Sequence, residues 1–483
     1  MQINLLNEYF VNRSQDNNAT RLVNWYLEIE NPAVMKSYDL GGLKGQQGKY
    51  KVIAIPTPGK TLWSTSVSGN KVRCAITNQG IPYNVIDGHL YSFASNGVAT
   101  QLGALNTSTG FARIASIGTQ IGIVDGLKVY IWTIATSTWT VVSDVNVPTT
   151  PTYITAQDGA FLVTNANSIQ INESVIGDGT NWTNITSLPS FAQKQGAGDN
   201  IAALISNERF VWILGTQTSE VWYNTGAANF NFGPYPNAFM EYGCAATDSL
   251  AKGDNNILFV AQSIAGGLYV VMSSGLSITP ISNPAISYQM SLMSTVSDAI
   301  GYTYQTSGHM FYVLTFPTGG KTFVYDLTQK LWHERQSTVS GVQQQDIGNT
   351  HCFAYGKSLI GDSTTGNVYY LDETNFQENG TAIQRTIVTP PAYNEGKKIY
   401  VDKLQIDTET GIGSNLTMNV NISYDSGYTF TNQLTGTIPQ NGGRMFWRRL
   451  GYTQNGICIQ LQTTMNANCI LIGATAEVRQ GDN

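Results

Sequence analysis

Few stretches of this sequence have the residue types and spacing that chemistry requires. AIPTPGKT at 54–61 fits the loose phosphate-loop pattern A/G-x-x-x-x-G-K-S/T, in which backbone N–H groups at a helix start cradle phosphates. Pro56 and Pro58 each remove a donor, and the following TLWSTSV reads as a strand, so a turn entering a sheet is expected instead. SYDSGYTF at 423–430 fits S-x-D-x-G-x-T/W-F, a hairpin whose Ser and Asp side chains staple its turn. The histidines (His89, His309, His333, His351) are isolated from one another, and no G-x-S-x-G, H-E-x-x-H or EF-hand pattern occurs. The cysteines (Cys74, Cys244, Cys352, Cys458, Cys469) are odd in number and contain no C-x-x-C pair. They are expected to be separate thiols rather than a zinc ribbon or disulfide framework. No catalytic, cofactor-binding or metal-binding residue is assigned, and no cofactor is expected.

One basic spot stands out: GGRMFWRRLGY, where Arg444, Arg448 and Arg449 interleave with Phe446 and Trp447. Strand alternation would place Met445, Trp447 and Arg449 on one face and Phe446, Arg448 and Leu450 on the other. Interleaved aromatic and basic side chains can stack bases and contact phosphates. Arg and Trp are also the residues most enriched at protein interface hot spots. A chain of net charge −6 and pI near 5.3 lacks the positive excess of a nucleic-acid coat. Arg444, Phe446, Trp447, Arg448 and Arg449 are therefore assigned as a candidate protein interface.

The elements that must carry these residues read as β-strands. Only 12% of the 483 residues are charged, about half the usual quarter, while 42% are hydrophobic and 11% aromatic. That profile excludes a disordered chain and disfavours a helical one, whose exposed faces carry Glu and Lys. One strand type recurs: HLYSF (89–93), KVYIW (128–132), SIQIN (168–172), EVWYN (220–224), GLYVV (267–271), TFVYD (322–326) and NVYYL (367–371). Their central residues, Tyr91, Tyr130, Gln170, Trp222, Tyr269, Val324 and Tyr369, follow one another at intervals of 39–55 residues. Several are preceded by another strand across a tight turn, as at Asp125-Gly126, Thr318-Gly319-Gly320 and Thr364-Thr365-Gly366. Such spacing is that of propeller blades, and an all-β fold with a β-propeller of six or seven blade-like repeats is expected. After Pro390-Pro391 five longer alternating strands follow, which suits a C-terminal β-sandwich. The expected division is an N-terminal arm (1–35), a propeller body (36–391) and a sandwich (392–483); LVNWYLEIENP within the arm reads as a strand or short helix. The start MQINLLNEYFVNRSQ has no secretory pattern, and no run reaches the ~18 apolar residues of a membrane span.

Taken in order, NRSQDNNATRLVNWYLEIE, IPTPGKTLWSTSVSGNKVRCAI, IDGHLYSF, KLWHERQS, SYDSGYTF, MFWRRLG and ILIGATAEV resemble the tail accessory, or packaged-DNA stabilisation, proteins of short-tailed bacteriophages. The resemblance spans most of the chain and implies a virion tail component, made in the host cytoplasm. It implies a homo-hexameric ring, the nozzle or hub below the portal and head-to-tail adaptor, that carries spike, fibre or needle proteins. Double-stranded DNA would be retained there and then pass through without sequence-specific binding. No enzymatic activity is implied. The alternative is a receptor- or glycan-binding propeller of a tail fibre or bacterial surface, in its enzymatic form a glycosidase. The single Asp-box-like hairpin is weak support for it, with Trp25, Trp222 and Trp332 as its candidate sugar platforms.

Overall fold

The computed structural model describes residues 2–3, 6–14, 19–30, 51–65, 67, 69–183, 190–393 and 396–481. The expected boundary near residue 35 lies outside them. Seven four-stranded antiparallel units, five of them separate sheets and two parts of larger sheets, follow one another and close into a ring, so the propeller has seven blades. Blade 1 is Val72–Asn78, Ile81–Ile86, His89–Phe93 and Ala99–Ala104; blade 2 is Arg113–Ser116, Gln120–Val124, Val129–Thr133 and Thr138–Val141. Blade 3 is Pro151–Gln157, Ala160–Asn165, Gln170–Glu173 and Phe191–Gln193; blade 4 is Ile201–Asn207, Phe210–Gly215, Ser219–Asn224 and Phe232–Met240. Blade 5 is Tyr242–Gly253, Asn256–Ser263, Leu268–Ser274 and Ser277–Pro280; blade 6, reached through helix α1 (Pro284–Ser291), is Ile300–Thr306, His309–Phe316, Lys321–Asp326 and Leu331–Val339. The recurrent apolar-aromatic strand of the sequence is the third strand of every blade. The first strand of each lies next to its neighbour's around the axis, and Gly348–Ala354 of blade 7 meets Val72–Asn78 of blade 1, where Asn349 Nδ2 donates to Val72 O at 2.6 Å.

Local backbone preference builds the blades. The first hairpin of five blades turns through two consecutive positive-φ residues, as at Asp158-Gly159 (φ 50° and 83°) and Ser307-Gly308 (48° and 82°). Two such residues match the right-handed twist of the flanking strands. The blades then pack face to face, and each of the seven interfaces holds its own apolar cluster. Between blades 3 and 4, for example, Leu162 and Ile171 meet Leu204, Ile213 and Trp222. A strand buried on both faces cannot alternate, and Ile121, Ile123, Val124, Tyr130 and Ile131 are accordingly at most 1% exposed.

Blade 7 draws on both ends of the propeller sequence. Gly348–Ala354, Lys357–Asp362 and Val368–Asp372 are joined by Gly59–Ser64, which pairs with Val368–Asp372 and closes the ring. Here Lys60 is 3% exposed, and its Nζ lies 2.5 Å from carboxylate oxygens of Asp346 and Glu378. Burial opposes its charge, but the two carboxylates outweigh that and raise its pKa.

The sandwich is built from both chain ends. One sheet holds Trp25–Glu30, Lys51–Pro56, Leu471–Gln480, Ile399–Thr408 and Met445–Arg448. The other runs from the outer strand of blade 6 through Ala19–Val23, Arg385–Val388, Cys458–Thr463 and Thr417–Ser423 to Leu434–Thr437. Trp25, Leu27, Leu404, Ile406, Val420, Leu461 and Trp447 form one core between them. The LVNWYLEIE segment of the expected arm thus forms strands of both sheets. Asn24 (φ 60°, 1% exposed) makes the corner between those strands, its amide donating to Gln336 O and Gln384 O and accepting from Gln336 N. All five expected C-terminal strands are present, with Leu434–Thr437 and Tyr452–Thr453 in addition. No helix among the described residues is long and apolar enough to cross a membrane.

Candidate interaction site

The stretches singled out for chemistry resolve into structural devices. Lys60 of the phosphate-loop-like segment is the buried cation of the closing strand, and no helix follows it. In SYDSGYTF the Asp425 carboxylate accepts from Thr429 Oγ1 and N at 2.6 and 2.8 Å, and Ser423 Oγ lies 2.7 Å from Asp425 Oδ1. These hydrogen bonds, Thr429's first, pull its pKa down to about 2. His309 Nδ1 lies 2.7 Å from Asp326 Oδ2, which raises its pKa, while burial pushes His351 down to about 4 and His333 well below its ordinary value. Among the described residues no group of three or more His, Cys, Asp or Glu is placed to hold a metal ion. Trp25, Trp222 and Trp332 are 0–1% exposed, which removes them as sugar platforms: each fills a core, as the largest apolar side chains of a β-fold tend to.

The axial canal of the propeller is a cavity of about 1050 Å³ lined by the first strands of the blades. It is braced from side to side. Arg113 of blade 2 reaches Asp248 of blade 5 at 2.5 Å and Thr247 Oγ1 at 2.8 Å, with its guanidinium 4.3 and 4.5 Å from the Phe111 and Tyr153 ring centres. Arg73, 7% exposed, anchors the rim by donating to the carbonyls of Asp87, Thr107, Thr109, Gly110 and Phe111.

The Arg444–Arg449 segment forms an edge of the sandwich sheet, pairing with Ile399–Thr408 through Lys403↔Arg448 and Gln405↔Phe446. Met445 and Trp447 point into the core, Trp447 being 8% exposed with its indole N–H on Leu434 O at 3.1 Å. Phe446 is 52% exposed, and Arg444, Arg448 and Arg449 are exposed as well. The alternation expected from sequence fails at Arg449. Its φ of 59° turns the chain, so Arg449 faces outward and Leu450 is buried at 3%.

Neighbouring strands complete this face with residues that sequence proximity did not reveal. The Arg448 guanidinium lies 5.0 Å and the Lys403 ammonium 6.0 Å from the Phe446 ring centre. Farther along, Arg479 lies 5.2 Å from the Tyr400 ring, Lys398 5.9 Å from Tyr452, and the two tyrosine rings 5.2 Å apart. Glu477, Asp402 and Asp407 pair with Lys403, Arg479 and Arg444 at 2.9, 2.9 and 3.7 Å. The Arg479 hydrogen bonds hold the Asp402 carboxyl below the usual range. The alternation in IYVDKLQID was the available signal, obscured by a register shift between Val401 and Lys403.

Two family descriptions match the chain: "Bacteriophage P22 Gp10, beta-propeller" over residues 45–376 and "Bacteriophage P22 Gp10, beta-sandwich" over 384–479. The chain belongs to the bacteriophage P22 Gp10 family. It is a structural protein of a short phage tail, located in the virion tail, as its resemblance to the short-tailed phage proteins implied. The propeller and sandwich named for the Gp10 family are the two parts described above. No curated protein matches the sequence. Solved structures similar to this chain include the computationally designed Ika8 protein (12% identity, TM-score 0.40, covering 65% of this chain and 100% of that one). Others are the N-terminal domain of Nup159 (8%, 0.40, 66% and 95%) and the Neurospora crassa Pan2 WD40 domain (10%, 0.39, 66% and 95%).

Proposed function

We propose that this Gp10-family chain works without catalysis, as one segment of a homo-hexameric ring below the portal and head-to-tail adaptor. The ring retains packaged DNA, conducts it during ejection, and carries spike, fibre or needle components. The observation that carries this reading is the closed propeller canal. Arg113 and Asp248 span it, and an ion pair bridging opposite blades leaves no bore for a duplex whose major groove alone is about 12 Å wide. A tail protein of this shape conducts DNA only along its outside, and a path enclosed on all sides then requires several copies around it. The low charge of the chain suits such a wall, because few cations face the phosphates of the passing duplex.

The test is quantitative mass spectrometry of purified DNA-filled particles. A hexameric ring against a dodecameric portal predicts about one copy of this chain for every two portal subunits. Particles assembled without the chain should contain little DNA. Full DNA retention in its absence would refute the retention role.

A further inference from the structure

The exposed face of the sandwich sheet carries an uneven share of the chain's positive charge. Residues 392–483 contain seven cations (Lys397, Lys398, Lys403, Arg444, Arg448, Arg449 and Arg479), all on or directly beside this sheet. They contain seven carboxylates as well, so the whole net charge of −6 belongs to residues 1–391. Ion pairs within the face engage Lys403, Arg444 and Arg479, and no carboxylate partner is found for Arg448, Arg449, Lys397 or Lys398 among the described residues. Phe446 and Tyr452, 52% and 56% exposed, stand among these cations.

Arg and aromatic side chains at the centre with paired charges around them make up the composition of a protein interface. A phosphate backbone, with one charge per about 1.7 Å of duplex axis, would meet Asp402, Asp407 and Glu477 as well as the cations, whereas separate carboxylates can register with Arg448 and Arg449 alone. The complementary surface is present on the same chain, in its acidic part. The first-hairpin turns of blades 3, 4 and 5 present Asp158, Glu208 and Asp254, all exposed and all at positive φ. Because equivalent turns of consecutive blades lie on the same rim, these three form a row, interrupted by Arg209 and by Lys252, whose ammonium is tied to Ser206 O at 2.7 Å.

We infer that the outer face of the sandwich docks on a second copy of this chain, at the Asp158, Glu208 and Asp254 turns of its propeller. The inference rests on the ring reading above. The contact joins two different surfaces, so it repeats head to tail and closes into a ring when the rotation permits. Phe446 and Arg448 form its centre, and the ion-paired residues form its rim.

The experiment uses the full chain, alone and with the adaptor–portal complex, and reads oligomeric state by native mass spectrometry and sedimentation. Arg448→Glu with Arg449→Glu should weaken self-association at least tenfold while leaving the melting temperature unchanged, since both side chains are exposed. Glu208→Lys with Asp254→Lys, at the other surface, should produce the same loss on its own, which guards against misfolding of the first variant. Combining the four substitutions should restore assembly. A wild-type ring that persists in both double variants overturns this docking face and leaves the ring reading standing. A wild-type chain that stays monomeric under both conditions overturns the ring reading, and the docking face with it. Variants that keep the ring but lose affinity for a labelled duplex would make the face a DNA contact, and would overturn the inference.

Discussion

Lys60→Met tests how the propeller ring is held shut. Lys60 lies on the strand that closes blade 7, and its ammonium, 3% exposed, is shared by Asp346 and Glu378 at 2.5 Å each. Methionine keeps the apolar stem but removes the cation that the two buried carboxylates share, leaving only Arg335 near Asp346. Breaking a buried ion pair from one side costs about 3–5 kcal/mol. Unfolding entropy of about 2.1 cal/mol/K per residue over 483 residues amounts to about 1 kcal/mol/K, so Tm should fall by about 3–5 °C if the chain unfolds as a unit. The assay is calorimetry together with limited proteolysis, which should cut first near residues 57–65 as the closing strand detaches. Adding Glu378→Gln should recover part of the loss, because Asp346 keeps the Arg335 charge while the carboxylate left without a cation is neutralised. The coupling also has a pH signature. Burial would raise the Asp346 pKa, but Lys60 and Arg335 outweigh it and hold it below 3.8. Its contribution is therefore present above pH 3.8 and lost as pH falls through the lower folded value. A loss under 1 kcal/mol in Lys60→Met, or no recovery on adding Glu378→Gln, would refute the reasoning.

Arg113→Ala should cost about 2 kcal/mol by removing the canal brace and two cation–aromatic contacts. Urea unfolding that shows no change would mean that the brace contributes nothing net. Asn24→Ala loses three side-chain hydrogen bonds and strains a left-handed φ, for about 3 kcal/mol by chemical denaturation; Asn24→Gly should recover only the strain. His351 is held neutral by burial, with a folded pKa of about 4, so the unfolded chain binds its proton first and stability falls between pH 6.5 and 4. His333, also held neutral by burial, adds to the same fall, so His351→Phe should make that part of the stability–pH curve shallower without abolishing it, and an unchanged slope would assign it to other groups.

Much of the architecture was legible in the sequence because a blade is a local object. Its third strand is buried against both neighbours, so KVYIW or NVYYL must be apolar and aromatic wherever it recurs, and the turn residues sit next to the strands they join. The unequal intervals also have local causes. The long step between Tyr269 and Val324 contains helix α1, and that between Gln170 and Trp222 contains the long connection from Glu173 to Phe191. The interaction face was only partly legible. Arg444–Arg449 was visible as a cluster, but Trp447 turned inward and Arg449 outward, while Tyr400, Lys403, Tyr452 and Arg479 came from other strands.

Composition, period and turn chemistry by themselves determined that this is an all-β chain of repeated hairpins followed by longer alternating strands, because each depends on neighbours within a few residues. Tertiary structure alone decided that there are seven blades, since the last is completed by Gly59–Ser64 from the other end of the chain. It alone decided that Ala19–Val23 and Trp25–Glu30 belong to the sandwich, that Arg113 spans the canal to Asp248, and which side chains share a surface with Phe446. The reason is physical: these pairings form between segments far apart in the chain. Their partners are chosen by shape, buried charge and strand register in the closed ring, none of which leaves a periodic mark in the sequence.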